Sequence, residues 1–370
     1  MGAEAGAQPG SRRAAHPYHM HDAIWQQPER VGRLLETQRA LIERAAAAAA
    51  TRRRLILAGI GTSYHAAQVG EHFLRHLTRG RATALVEQSF ELVHYPLALG
   101  PDDAVIAISH RGWRNYSVQA VESARAAGAL TIVVTGRDAG EGIRAADFVL
   151  TTCEQEISFA HTKSYTTALA ALATFAIRLA ERQGLLGDVA ARAALARIPE
   201  AMRAALGSEE FAREAARQIA ARPRWVFIGT GPNWATAREG ALKAKETCHI
   251  AAEGLETEQF LHGPLVEMDS RAALVALLTG GPGDDRARGA LRAAGELGVL
   301  RVAVAAAGLA EPPAELHLEV PATEEWLSPF VHAIPLQFLS YYAALEHGGN
   351  PDTGREDEPA HARARRHFRL

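Results

Sequence analysis

The chain carries the same signature twice. LILAGIGTSYHAAQVGEHF begins at Leu55 and WVFIGTGPNWATAREGALK begins at Trp225. Each reads as a strand, a Gly-x-Gly turn and a helix. Gly59 and Gly229 lie 170 positions apart, and the same offset carries Ala107 in AVIAIS onto Leu277 in ALVALL. It also brings TIVVTG approximately onto RVAVAAAG. Agreement at three elements predicts a duplicated α/β unit, and 370 residues is the right length for two domains.

Within the first half, short apolar runs at 55–58, 84–87, 104–109, 131–135 and 148–151 predict strands. Helical stretches at 64–77 and 116–127 lie between them, and a longer one at 164–181 closes the half. Strands that are apolar throughout and joined by helices predict a parallel sheet covered on both faces. The expected organisation is a disordered tail at 1–20, an N-terminal helix at 21–52, and a first domain at 53–197. A helical linker at 198–222, a second domain at 223–347 and a C-terminal tail at 348–370 follow. The apolar segment 326–342 has a helical period, which fits either a core helix or a helix at a subunit interface.

Composition removes several function classes. Forty basic residues against 42 acidic ones give a net charge of −2, so no global field draws nucleic acid. Apolar stretches fall short of the roughly 18–20 residues of a membrane span, and no membrane role is expected. Two cysteines, Cys153 and Cys248, make neither a disulfide framework nor a cysteine-rich zinc site. A reduced cytoplasmic protein is the expectation.

In an open parallel sheet the ligand lies beyond the carboxyl ends of the strands. The first turn there, Gly59-Ile60-Gly61-Thr62-Ser63, offers hydroxyls and N–H groups at a helix start. It suits an anion, or is simply a Ser/Thr helix cap. No third glycine follows at the dinucleotide spacing. The second turn, Ser109-His110-Arg111-Gly112-Trp113-Arg114, adds a hydroxyl, an imidazole and two guanidiniums able to grip an oxyanion. Further on, Glu239, Lys243 and Glu246 are spaced i, i+4, i+7 and share a helix face. Such a set can transfer protons, although spacing alone favours a solvated salt-bridge stripe. A loop with three acids, 253–258, precedes His262 on a Gly-Pro turn. His16, His19 and His21 fall in the tail, and beside His72 and His76 a zinc-protease glutamate is replaced by Phe73. No metal and no cofactor is expected, and the basic C-terminus reads as a solvated end.

Several segments together resemble the sugar isomerase (SIS) family. They are MHDAIWQQPE, GIGTSYHAA, the ISHRG turn, EQEISFAHTKSYTTALAALA, GTGPNWATAREGALKAKE, AEG…LHGPL and PFVHAIPLQFLSYYAALEHGGNPD. Within the family the likeness is greatest to the isomerase half of the glucosamine-6-phosphate synthases, from about residue 21 to 350. The resemblance implies an α/β fold of two tandem flavodoxin-like SIS domains. It implies a homodimer with shared active sites and a sugar bearing a C6 phosphate. By the same resemblance, Thr62, Ser63 and Ser109 line the anion pocket and Glu246 moves a proton between C1 and C2. Lys243 supports that transfer, and His262 assists ring opening, reaching in from the neighbouring subunit. The loop 156–163 passes the substrate, with the Phe159 backbone touching the sugar.

Three departures shape the functional expectation. No glutaminase segment precedes residue 20, so glutamine-dependent synthesis is not expected. The family's turn Ser-Gln-Ser-Gly-Glu-Thr is Ser109-His110-Arg111-Gly112-Trp113-Arg114 here. The family's imine-forming lysine has no equivalent at Arg355-Glu-Asp-Glu-Pro359. An aldose–ketose isomerase working through an enediol fits these changes. Its hexose would carry a C6 anion: a phosphate, a carboxylate, or a sulfonate as in sulfoquinovose. An amino-sugar-phosphate deaminase and a non-catalytic sugar-phosphate sensor are the alternatives.

Overall fold

The computed structural model describes residues 13–113, 116–185 and 189–368. Helices α1 (His19–Thr37) and α2 (Arg39–Ala49) lead into the first half. It comprises β1 (Arg54–Gly59), α3 (Thr62–Leu77), β2 (Thr83–Gln88), α4 (Ser89–His94), β3 (Asp103–Ser109), α5 (Tyr116–Ala126), β4 (Leu130–Thr135), β5 (Phe148–Thr151) and α6 (Lys163–Arg182). Helices α7 (Val189–Ala205) and α8 (Glu209–Ile219) cross to the second. That half has β6 (Arg224–Gly229), α9 (Pro232–Cys248), β7 (Ala251–Glu256), α10 (Thr257–Leu261), β8 (Ala272–Leu278), α11 (Asp284–Glu296), β9 (Leu300–Ala306), β10 (Leu316–Val320), α12 (Pro329–Glu346) and α13 (Pro359–Arg365).

Both sheets are parallel throughout, and both have the same order: β2-β1-β3-β4-β5 and β7-β6-β8-β9-β10. This flavodoxin-like order places a switch point between β1 and β3, and again between β6 and β8. The Gly-x-Gly turns occupy those places. Gly61 and Gly231 both take left-handed φ, 57° and 53°. A side chain at Gly59 would strike the Ser63 backbone at 2.6 Å, and one at Gly229 the Asn233 carbonyl at 2.3 Å. The close approach of turn to helix therefore requires glycine in both halves.

Two helices are almost wholly internal: 18 of the 20 residues of α6 and 16 of the 18 of α12 are buried. Helix α12 packs against α9, α8, α7 and α1, so segment 326–342 is part of the core of the chain. Across the halves, α3 and α9 lie against each other.

Several expected boundaries need correction. Residues 1–12 and 369–370 lie outside the described residues, but 13–20 are not a loose tail. Tyr18 and Met20 are buried, and the Tyr18 N–H donates to the Tyr341 hydroxyl at 3.0 Å. His16 Nδ1 meets that hydroxyl at 2.8 Å, and His21 Nε2 meets Glu209 at 2.7 Å. The helix expected at 21–52 is two helices, breaking at Gln38. The 197/198 boundary falls inside α7. Segment 348–370 is structured in part: the Asp352 carboxylate accepts the N–H groups of His19 and Met20 at 2.8 and 2.9 Å and so caps α1. Among the described residues no helix is long and apolar enough to cross a membrane.

Candidate active site

The side chains spaced i, i+4, i+7 on α9 are not a solvated stripe. The Lys243 and Glu239 side chains are 1 % and 2 % exposed, because α3 covers this face of α9. Lys243 Nζ stands 3.3 Å from Glu239 Oε1, bonds the Glu246 carboxylate, and donates to Thr62 Oγ1 at 3.2 Å. All three ammonium protons thus have partners. Glu239 also accepts from Thr62 Oγ1 at 3.0 Å and meets His65 Nδ1 at 2.7 Å. The first Gly-x-Gly turn is therefore joined to the second half through Thr62.

The two carboxylates of this set differ. Burial works against ionising Glu239, but Lys243, His65 and Thr62 outweigh it and hold its carboxyl below the ordinary range. At Glu246 burial wins. Lys243 opposes it, the Glu239 charge adds to it, and the carboxyl is pushed up. With its side chain 19 % exposed, Glu246 is also the member that a ligand can reach. A carboxyl with a raised pKa, held by a buried ammonium, is equipped to take up and return a proton.

The residues expected to hold an anion lie at the carboxyl ends of β1, β3 and β4. A cavity of about 20 Å³ there is lined by Thr62, Ser63, His110, Thr135, His161 and Ser164, among others. It forms the base of the cleft and has room for one water. Ser109 ends β3, and its hydroxyl accepts the Gly112 N–H at 3.3 Å. His110 turns inward, and burial holds it down to about 4. Arg111 is exposed, with its guanidinium 5.6 Å from the Trp113 ring centre. Arg114 lies outside the described residues.

The loop after β5 is fixed at three points. Glu156 is buried at the start of α6, and its oxygens accept the N–H groups of Thr162 and Ser164 at 2.9 and 2.8 Å. Glu154 accepts from Lys163 Nζ at 2.5 Å and from Arg30 Nε at 2.9 Å, which ties the loop to α1. The Phe159 N–H donates to the Asp352 carbonyl at 3.0 Å, and its ring lies 4.8 Å from the Arg365 guanidinium carbon. The Phe159 N–H is thus engaged by the C-terminal segment, and Arg365 is a packed residue rather than part of a solvated end.

His262 is not in this cluster. Its side chain is 69 % exposed, and its Nε2 meets Glu258 at 2.8 Å. The acids expected in a loop before it lie on β7 and α10. The spacing overlooked His65, Glu156 and His161. A wider groove of about 1120 Å³ opens between α1, α6 and α7, where its charges are mixed and no strand ends.

A SIS domain model matches residues 50–178 and 218–347. The glutamine–fructose-6-phosphate aminotransferase of Thermococcus kodakarensis is 30 % identical over 350 residues, covering 93 % of this chain and 58 % of that protein. The Pseudomonas aeruginosa protein of the same name is 31 % identical over 360 residues, covering 91 % and 57 %. The chain thus spans little more than half the length of these relatives. Two solved structures share the fold. The C-terminal domain of glucosamine-fructose-6-phosphate aminotransferase from Francisella tularensis aligns with TM-score 0.82 at 22 % identity, over 91 % of this chain and 99 % of that one. Tagatose-6-phosphate ketose/aldose isomerase from Escherichia coli aligns with TM-score 0.78 at 22 % identity, over 94 % and 98 %.

Proposed function

The chain belongs to the SIS domain family, and from that premise we propose that it is an aldose–ketose isomerase acting on a hexose with a tetrahedral oxyanion at C6. The observation that carries this reading is the buried Glu239–Lys243–Glu246 set, of which Glu246 is the member that solvent reaches. Glu246 takes the proton from C2 of the open-chain aldose, leaving an enediolate with its charge on O1; the O2 hydroxyl proton passes to O1, and Glu246 returns its proton to C1 as the carbonyl forms at C2. One carboxyl serves as base and then as acid, so no nitrogen donor and no redox partner enters the balance. Lys243 holds the Glu246 carboxylate in place and offers positive charge beside the oxygen that becomes negative.

Ring opening needs a further acid–base group. His262 is exposed on its own chain and away from Glu246, which suits it to complete the cleft of a second copy; the working unit is then a homodimer. At C6, Arg111 stands where the family turn has a small hydroxyl residue. A permanent fork-shaped cation suits a sulfonate or a phosphate held by two oxygens.

The test is turnover of glucose 6-phosphate, sulfoquinovose and glucosamine 6-phosphate by the purified protein. Conversion of either of the first two to its ketose supports the reading, and the ratio of their kcat/KM values identifies the anion. Ammonia release from glucosamine 6-phosphate would replace it with a deaminase. Binding without any conversion would make the protein a sensor.

A further inference from the structure

His161 sits in the loop between β5 and α6, and its imidazole lines the cavity at the base of the cleft with Thr62, Ser63 and Ser164. It meets the His110 ring edge-on, with centres 5.1 Å apart and planes at 81°. The two imidazoles are in different situations. His110 Nε2 accepts the Glu156 N–H at 3.2 Å, which leaves its proton on Nδ1. Neither ring nitrogen of His161 has a hydrogen-bond partner among the described residues.

Charged and titratable groups face His161 from each element around it. Glu156 comes from its own loop, His110 and Arg111 from the turn after β3, and Lys243 from α9. Glu239 and Glu246 stand behind Lys243, and Glu154 and Lys163 behind Glu156. The Glu156 carboxylate is already engaged. Burial opposes its ionisation, but the neighbouring imidazoles and the N–H groups of α6 outweigh that and hold it below the ordinary carboxylate range. Burial in turn holds His161 below the ordinary imidazole range, against the pull of Glu156.

We propose that His161 reads the charge of the ligand: it takes up a proton as an anionic sugar enters and donates a hydrogen bond to it. The inference rests on the anionic-sugar reading above. In the empty cleft a further cation would stand half-buried near Lys243 and Arg111 with its carboxylate neighbour Glu156 already engaged, so the imidazole stays neutral. An incoming anion supplies the missing counter-charge and favours the imidazolium. A neutral sugar brings no such charge and leaves the ring as it was. Arg111 at the rim is cationic with either ligand, so the distinction between them is made at the base of the cleft.

The sign follows from linkage. The His161 pKa is higher with ligand than without, so binding consumes a proton. Affinity is greatest at low pH and falls about tenfold per pH unit between the two pKa values, flattening above the upper one.

Calorimetric titration of the full chain with sulfoquinovose and with glucose 6-phosphate, from about pH 5.5 to 8.5 in buffers of different ionisation enthalpy, tests this. The sulfonate does not titrate in that range, so its pH slope belongs to the protein. The second ionisation of the phosphate, near pH 6, is common to wild type and variant and cancels between them. The expected result is uptake of up to one proton by the wild type, and a flat profile without uptake in His161→Asn. A variant that keeps both slope and uptake overturns the assignment to His161 and leaves the anionic-sugar reading standing. A wild type that binds neither sugar fails that reading itself, and this inference with it. Should His161→Asn not fold, histidine-labelled wild type followed by NMR decides. A new imidazolium on binding supports the proposal, and an unchanged His161 resonance refutes it.

Discussion

Beside the first Gly-x-Gly turn stand Thr62 and Ser63; at the equivalent places in the second half stand Pro232 and Asn233. Ser109 and Thr279 correspond as well, and each hydroxyl accepts an N–H from its own turn, at 3.3 and 3.1 Å. Beyond this the two crevices diverge. Arg111 follows Ser109, whereas Gly281 stands in its place and carboxylates fill the second site. Asp284 accepts the N–H groups of Thr279 and Gly280 at 3.0 and 2.9 Å, and the Thr279 hydroxyl donates to Glu325 at 3.4 Å. Asn233 is fully buried and donates to Ser328 at 2.6 Å. Over the first crevice α9 lays Glu239, Lys243 and Glu246. Over the second, α3 lays Val69, Phe73 and His76 at the same offsets, and Phe73 and His76 pack against Trp326. Duplication copied the backbone that can cradle an anion. The side chains set the copies apart, because a turn whose N–H groups already hold the chain's own carboxylates has little to offer a ligand.

The largest expected effect is on turnover. Glu246→Gln should lower kcat by about 10²–10⁴-fold, the usual cost of losing a general acid–base group. Its counterpart in the other crevice, His76→Gln, should leave kcat within about twofold. Similar losses from both variants would dissolve the distinction between the two sites. Next comes stability. Lys243→Met removes the ammonium between two carboxylates and leaves the buried Glu239 with Thr62 and His65 alone, at a cost of up to about 3–5 kcal/mol in denaturant unfolding. A loss under about 1 kcal/mol would mean that the set is solvated after all.

Two smaller effects concern pH. Glu246 acts as a base only when ionised, and burial and Glu239 raise its pKa. The acid limb of kcat/KM should therefore lie above the ordinary carboxylate range, with activity lost as pH falls through it. Glu239→Gln removes one cause of the shift and should move that limb to lower pH; an unmoved limb would detach Glu246 from the profile. At the second crevice, burial first and then Arg75 and His76 hold His72 at about 4, below its ordinary 6.5. The folded chain then binds fewer protons than the unfolded one between those values, so stability falls as pH drops through that window. Replacing His72 with Leu should flatten this part of the stability–pH curve.

Strands buried on both faces were legible in the sequence because they are unbroken apolar runs, as in β1 and β3. The edge strands β7 (AAEGLE) and β10 (LHLEV) were not, since their charges break the run and only pairing with β6 and β9 makes them strands. The triad on α9 was visible as a spacing, but the same spacing marks any surface stripe. Its burial comes from α3, some 170 positions earlier in the chain, and no local pattern reports it. The His65–Glu239 bond spans 174 positions and escaped notice for the same reason. Glu156 and His161 sit in an aperiodic loop, where only the start of α6 and the ends of the strands show what they face.

One carboxylate, Glu246, is proposed to move one proton in one of the two crevices. Incubating wild type and Glu246→Gln in deuterated water with the sugar that the wild type converts, and following the label by NMR, tests it most directly. Wild type should place solvent deuterium at C2 of the aldose and C1 of the ketose, and the folded variant should place almost none. Label entering at the wild-type rate in Glu246→Gln would contradict the account.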